Sequence, residues 1–365
     1  MSHLLFLLSI VVYKINIFYT AMAGPKDPTQ ITQLVLVTLV IVFLDLILLT
    51  ATIALIPVWL IVSAVAKISR PDLGPIISDM SSIFTLKPAD ECAGSLIHYL
   101  ILDGTMDKER FRELWKERVM HARRLSGDLM FPRFRDTWTE FLGYSFWKPE
   151  QKFSLKRHIR DYDLKGDLAL PSPCRSNDLK RVIGGIAGKL YTRDRSPWEI
   201  LLIQNYRADN DPRPKTVIVV RHHHALIDGY GLVSMIRHLF ETKYPLPRLQ
   251  FPKPPLWYRV LAPLKMPYDS AVMYLNSTDG LKEWRSAQSE NTVQLEGSMT
   301  SAITIEKVKS VKNRLKVSYN AVLFAAIAGG FERMVKQEKL NIPESLGIHY
   351  PVPRPGHPGG TVNHA

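Results

Sequence analysis

The chain has 365 residues, 46% of them hydrophobic and 22% charged, which supplies a sizeable core and excludes a disordered composition. Its 47 basic and 34 acidic side chains give a formal charge of +13, which suits anionic partners (phosphorylated cofactors, lipid headgroups, nucleic acid) or simply a solvated basic surface. Two distant cysteines, Cys92 and Cys174, exclude a disulfide framework and a cysteine-based metal cluster, and fit a reducing, cytosol-facing location.

Residues 1–30 carry an apolar run, Leu4 to Val12, ahead of the small-residue triplet Ala21-Met22-Ala23. That segment reads either as a cleaved signal, although no Lys or Arg precedes the run, or as a second membrane-associated piece. Residues 31–66 read as a transmembrane anchor. Leu34 to Ile56 supplies the roughly 20 apolar residues that a spanning helix needs. Pro57 is expected to interrupt it, with Val58 to Ala66 kinking into the interface where Trp59 would sit. The competing reading is a buried core helix. Charge leaves the orientation nearly tied, with Lys14 and Lys26 before the span and Lys67 and Arg70 after it.

A β-like run from Ala93 stops at Asp103-Gly104. A helical pattern follows from Met106, with Phe111, Leu114, Trp115 and Val119 on one face. Phe141 to Asp161 reads as loop and short strand, and Leu179 to Leu190 as helix. Two strands, Trp198 to Asn205 and Thr216 to His222, flank the turn-rich "YRADNDPRPK". An amphipathic helix opens at Gly229 or Gly231. Tyr244 to Pro267 holds seven prolines and reads as an extended linker, not a helix. A further apolar helix spans about Asn320 to Met334, and "IHYPVPRPGHPGGTVNHA" starts like a strand and runs into a Pro/Gly-rich tail. Strands alternating with helices on both sides of a linker predict a two-lobed α/β architecture.

The sequence's most informative stretch is "RHHHALIDGYG", Arg221 to Gly231. Alternation along a strand puts His222 and His224 on one side and His223 on the other. Asp228 follows the strand end, and Gly229 and Gly231 permit a sharp turn. An imidazole at a sheet mouth with a carboxylate close behind can act as a general base near neutral pH. A zinc site would need further His or Cys ligands at known spacing, and none is offered. A purely structural histidine run stays open on the residues alone. Neither G-x-S-x-G, G-x-x-x-x-G-K nor G-x-G-x-x-G occurs, so nothing points to a serine hydrolase or a nucleotide-binding fold.

His223 to Gly229, "HHALIDG", resembles the HHxxxDG signature of the CoA-dependent acyltransferase superfamily, and within it the wax ester synthase/diacylglycerol acyltransferase family. "RDRSPWEI" around Pro197 and Trp198 is similar to that family's Pro-Trp-Glu block. "FSLKRHI", Phe153 to Ile159, resembles a family segment with a histidine in the same place. "SYNAVLFAAIAGGFERM" resembles its Asn-Asp block, with Asn320 matched and Ala321 standing where many members have aspartate.

The resemblance implies a two-lobed α/β fold with mixed sheets, like chloramphenicol acetyltransferase, and His224 at the junction of the lobes. Residues 84–243 would form the first lobe, 244–267 the crossover and 268–365 part of the second. It implies His224 as general base, His223 as support of the loop, Asp228 as holder of the turn and Gly229 as space for substrates. Acyl-CoA would be the cosubstrate, a long-chain alcohol or diacylglycerol the acceptor and membrane lipids the surroundings, with no resident cofactor, no metal and no nucleic acid. The location expected is the endoplasmic reticulum or plasma membrane, with the catalytic part in the cytosol. Two other readings compete. One is a catalytically inactive, truncated paralogue that binds a lipid surface. The other is an H-x-x-x-x-D glycerolipid acyltransferase using His223 and Asp228, for which only Glu296 to Ser298 hints at the further block such enzymes carry.

Overall fold

The computed structural model describes residues 28–78, 80–209, 211–243, 246, 255–278, 303–340, 351–354 and 356–363. The Leu4 to Val12 run and its Ala21 to Ala23 triplet, the Glu296 to Ser298 stretch and the strand start at Ile348 lie outside these residues. The chain divides into two compact units. The first runs to Ser270 and takes in residues 351–363, and the second contains two helices described below.

Helix α1, Pro28–Ser69, is 42 residues long and continues through Pro57. The expected break at Pro57 is therefore absent. Proline removes a single i→i−4 bond, and the turns beyond it are held by packing: Val62 and Ala66 are buried against Ile76, Tyr144 and Phe146, with Trp59 alongside. Ile31–Ser69 is long and apolar enough to cross a membrane.

A mixed α/β fold follows. The main sheet has the order β1 (Ser95–Asp103), β7 (Asp211–His223), β6 (Trp198–Ala208), β4 (Ile159–Asp161), and β5 (Cys174–Arg175) also pairs with β6. β1, β7 and β6 run antiparallel to one another, while β4 and β5 run parallel to β6. The short strands β4 and β3 (Tyr144–Pro149) lie within the region Phe141 to Asp161 read as loop and short strand, and β3 pairs with β2 (Asp136–Phe141) in a separate hairpin. Its two-residue turn, Leu142-Gly143, has both φ angles positive, the geometry that matches strand twist.

Helix α2, Lys108–Trp115, is capped by Asp107, whose side chain accepts from the Arg110 N–H, and passes into a π-helical turn at Lys116–Met120. Phe111, Trp115 and Val119 are wholly buried. At about 1.5–3 kcal/mol for each large apolar side chain, that burial outweighs the weak propensity of an eight-residue helix. Helix α3, Ser176–Gly188, buries Leu179, Val182 and Ile186. Trp115, Phe134 and Trp198 form the aromatic centre of the core, joined by Ile200, Val220 and Met235. Met235 comes from helix α4, Gly229–Phe240.

Helix α5, Leu256–Thr278, contains Pro263 and Pro267. The segment 256–267, read from its prolines as extended, is thus helical. The two prolines are four residues apart, so the backbone bonds they forgo lie on one side of the helix. In the second unit α6, Ile305–Leu315, packs on α7, Tyr319–Gln337, and Val308 and Val335 are buried.

Candidate active site

β7 carries the histidines because it is paired on both sides to its very end: His223 is in register with Ser95 of β1, and His222 with Trp198 of β6. The chain then turns through residues 224–227, and Asp228 starts α4. Asp228 has extended backbone and its side chain accepts from the Gly231 N–H at 2.8 Å, the N-cap geometry.

The three adjacent histidines occupy three different environments. His222 is fully buried, and its ring stacks on His98 with centroids 5.3 Å apart. Burial, and then the charge of His98, push its pKa down to about 3. His223 is buried on the other side of the strand. Its ring lies against Trp138 at 4.8 Å, and its Nδ1 accepts the Ala225 N–H at 3.2 Å. Burial first, then the neighbouring charges of His224 and Arg221, lower its pKa to about 4. Gly94 passes directly over this ring, since a Cβ there would lie 2.6 Å from it. Both His222 and His223 are therefore neutral, structural imidazoles.

His224 is different. It is only partly buried; its backbone N–H donates to Gly94 O at 2.7 Å, and its ring stacks face to face on Phe84 at 4.1 Å and 8°. Nδ1 lies 3.1 Å from the Asn363 side-chain oxygen, and Nε2 has no hydrogen-bond partner among the described residues. One motif histidine thus keeps an available ring nitrogen, held from three sides.

Residues 356–363, the Pro/Gly-rich tail of the sequence reading, pack against this turn. His357 Nε2 donates to Asp228 Oδ2 at 2.8 Å, and the Asp228 N–H reaches Val362 O at 3.4 Å. Arg124 donates to Pro358 O and Gly359 O, and Thr361 bonds Met130 O and the Arg133 N–H. Gly360 has φ +81, and a Cβ on it would lie 2.1 Å from Met130 O, so only glycine fits. Asn363 donates from Nδ2 to His224 O, Ala225 O and Ser81 Oγ at 2.9, 3.2 and 2.9 Å.

Pro197 and Trp198 support the site from below. Pro197 O accepts the His223 N–H at 2.9 Å. Trp198 is buried, donates Nε1–H to Phe134 O at 2.8 Å, and stacks on His158 at 4.4 Å. His158, the histidine of "FSLKRHI", is wholly buried between Trp198 O and Glu150 Oε2, at 2.8 and 2.9 Å. Glu199 bonds both Arg221 and Arg160 at 2.8 Å; despite the opposing effect of burial, these two guanidinium groups hold its carboxyl below the usual range. The Pro-Trp-Glu block is therefore scaffold for the histidine strand.

Gly229 is exposed, and a Cβ there would meet no atom within 4 Å, whereas at Gly231 it would come within 2.3 Å of Gly360 O. Asn320 lies in the first turn of α7, in the second unit, and is exposed. The H-x-x-x-x-D pairing is not formed: the Asp228 oxygens go to Gly231 and His357, and His223 is engaged by Ala225. Sequence reasoning missed Phe84, a lone aromatic in a four-residue helix, and His357 and Asn363, because a single His or Asn in a Pro/Gly-rich tail has no spacing that marks it.

Residues 97–262 match the model of the wax ester synthase/diacylglycerol acyltransferase catalytic domain. A candidate diacylglycerol O-acyltransferase of Mycobacterium tuberculosis is 29% identical over 99 residues, 27% of this chain and 18% of that protein. The chain thus covers under a fifth of this relative's length. Among solved structures, a wax ester synthase/diacylglycerol acyltransferase from Marinobacter aquaeolei aligns over 74% of this chain and 63% of its own, at 18% identity and a TM-score of 0.43. The starter condensation domain of rhizomide synthetase aligns over 48% and 36%, at 10% identity and a TM-score of 0.33.

Proposed function

We propose, from the match of residues 97–262 to the wax ester synthase/diacylglycerol acyltransferase catalytic domain, that the protein is an O-acyltransferase of that family with His224 as its general base. The supporting observation is the contrast among three neighbouring histidines: two are buried and neutral, and His224 alone is partly exposed with Nε2 unengaged among the described residues. The acyl donor is acyl-CoA, and the acceptor is the hydroxyl of a long-chain alcohol or diacylglycerol.

Nε2 of His224 takes the hydroxyl proton as the acceptor oxygen attacks the thioester carbonyl. The tetrahedral intermediate then collapses, the C–S bond breaks, and the imidazolium returns its proton to the departing CoA sulfur. Asp228 takes no proton in this scheme. It caps α4 and receives His357, and so fixes the turn that presents His224. The +13 charge favours the phosphates of CoA.

Helix α1 anchors the protein in the endoplasmic reticulum or plasma membrane, with the sheet-containing unit in the cytosol where acyl-CoA is supplied. Its last turns pack on the β2–β3 hairpin, so the spanning portion is the exposed apolar stretch before Trp59. Twenty helical residues rise about 30 Å, the thickness of a hydrocarbon core.

The test is acyl transfer in microsomes with labelled acyl-CoA and a panel of long-chain alcohols and diacylglycerol. His224→Ala should lower turnover on the order of 100- to 10,000-fold. Near-normal turnover in that variant would overturn the assignment of the base. If the wild-type chain transferred nothing to any acceptor, the inactive lipid-surface reading would replace the enzyme.

A further inference from the structure

We propose that Asn363 is the positioning residue of this site: it locks His224 in the tautomer with hydrogen on Nδ1, leaving the Nε2 lone pair aimed at the acceptor. The inference rests on the reading of His224 as the base, and extends it to a residue 139 positions away in sequence.

The argument is one of donor and acceptor inventory. An asparagine amide can be placed two ways round, and its neighbours decide which. Here one end of the amide faces the backbone oxygens of His224 and Ala225, at 2.9 and 3.2 Å. Carbonyls only accept, so that end is the NH2 group. The other end, 3.1 Å from His224 Nδ1, is then the carbonyl oxygen. An oxygen that only accepts requires a donor, so Nδ1 carries the hydrogen and the neutral ring is bare at Nε2.

The arrangement is built to resist rotation. Asn363 is 2% exposed, and its NH2 also reaches Ser81 Oγ at 2.9 Å. Ser81 opens the short helix Ser81–Phe84, which supplies Phe84 to the face of the His224 ring. The backbone of His224 is tied to Gly94 O. One side chain thus grips the ring nitrogen and the carbonyl of the same histidine, which sets χ1, χ2 and tautomer together. His98 of β1 and His222 and His223 of β7 are the imidazoles whose pKa values feel the charge of His224. Among the described residues the side-chain partner of His224 Nδ1 is the amide of Asn363.

Nitrogen-15 NMR of the full chain labelled in histidine, in detergent micelles, reads the tautomer directly, with the His224 signals assigned from their loss in His224→Gln. In the wild type, Nδ1 of His224 should give the protonated signal and Nε2 the bare one; the reverse pattern overturns the proposal without any variant. Asn363→Leu should relax the ring to a mixture of tautomers. Asn363→Asp should raise the protonation midpoint of His224, because a carboxylate beside Nδ1 favours the imidazolium. A merely structural asparagine would alter melting in both variants and leave tautomer and midpoint unmoved, and that result also overturns the proposal. In the transfer assay, kcat of Asn363→Leu should fall on the order of 10- to 100-fold with KM for acyl-CoA retained. The spectrum needs no turnover: the expected tautomer in a chain that transfers no acyl group upholds Asn363 and removes the proposed activity instead.

Discussion

Replacing Asp228 separates the two jobs of its carboxylate. Oδ1 caps α4 by accepting the Gly231 N–H, and Oδ2 accepts from His357 Nε2, both at 2.8 Å. The His357 tautomer is set by the Gly359 N–H, which donates to its Nδ1 at 2.9 Å, so Nε2 must be the donor. Asp228→Ala removes the cap, about 1 kcal/mol, and strands a buried donor on His357, about 1–3 kcal/mol. The expected loss is about 2–4 kcal/mol. Asp228→Asn keeps an oxygen for Gly231 but turns an NH2 group toward Nε2–H, donor against donor. It should retain the cap and lose the bridge, a loss of about 1–3 kcal/mol. Urea unfolding of the detergent-solubilised protein, followed by tryptophan fluorescence, measures both. Hydrogen exchange at the Thr361 and Val362 amides should quicken in both variants as residues 356–363 loosen. Wild-type stability in Asp228→Asn would refute the bridge to His357, and equal losses in the two variants would refute a separate cap.

Acid should destabilise the fold. The folded pKa values of His222 and His223, about 3 and about 4, lie below the unfolded value of 6.5, so the unfolded chain binds more protons between these limits. Stability is full above pH 6.5 and drains as pH falls; at 1.36 kcal/mol per unit per group, about 4 kcal/mol is lost by pH 5. His222→Asn should reduce the slope of a stability–pH plot without abolishing it, since His98 and His238 also have pKa values lowered by burial, and an unchanged slope would contradict the burial argument. Gly231→Ala should cost about 1–3 kcal/mol by forcing a Cβ toward Gly360 O, whereas Gly229→Ala should leave the melting temperature level or slightly raised. Trp198→Ala should cost about 3–5 kcal/mol by emptying the aromatic centre, seen as loss of cooperative melting. Protease added to sealed microsomes should cut near His224 without detergent; protection until detergent is added would reverse the proposed topology.

The amino-acid sequence determined what depends on local chemistry. The apolar length of α1, the strands β6 and β7, and the opening of α4 at Gly229 or Gly231 were legible because periodicity and turn residues act over a few positions. The same local reasoning misplaced the break at Pro57 and the extent of the Pro-rich linker, since packing of Val62 and Ala66 holds one helix on, and α5 is helical from Leu256 through both of its prolines. Three consecutive histidines are alike on paper. Tertiary structure made two of them buried and neutral and left the third only half-buried, because β7 ends at His223 and His224 lies in the turn beyond it. It also brought His357 to Asp228 and Asn363 to His224 across 129 and 139 positions. Hydrogen bonds of that separation leave no trace in spacing, because the chain between them can have any pattern so long as the fold closes the loop.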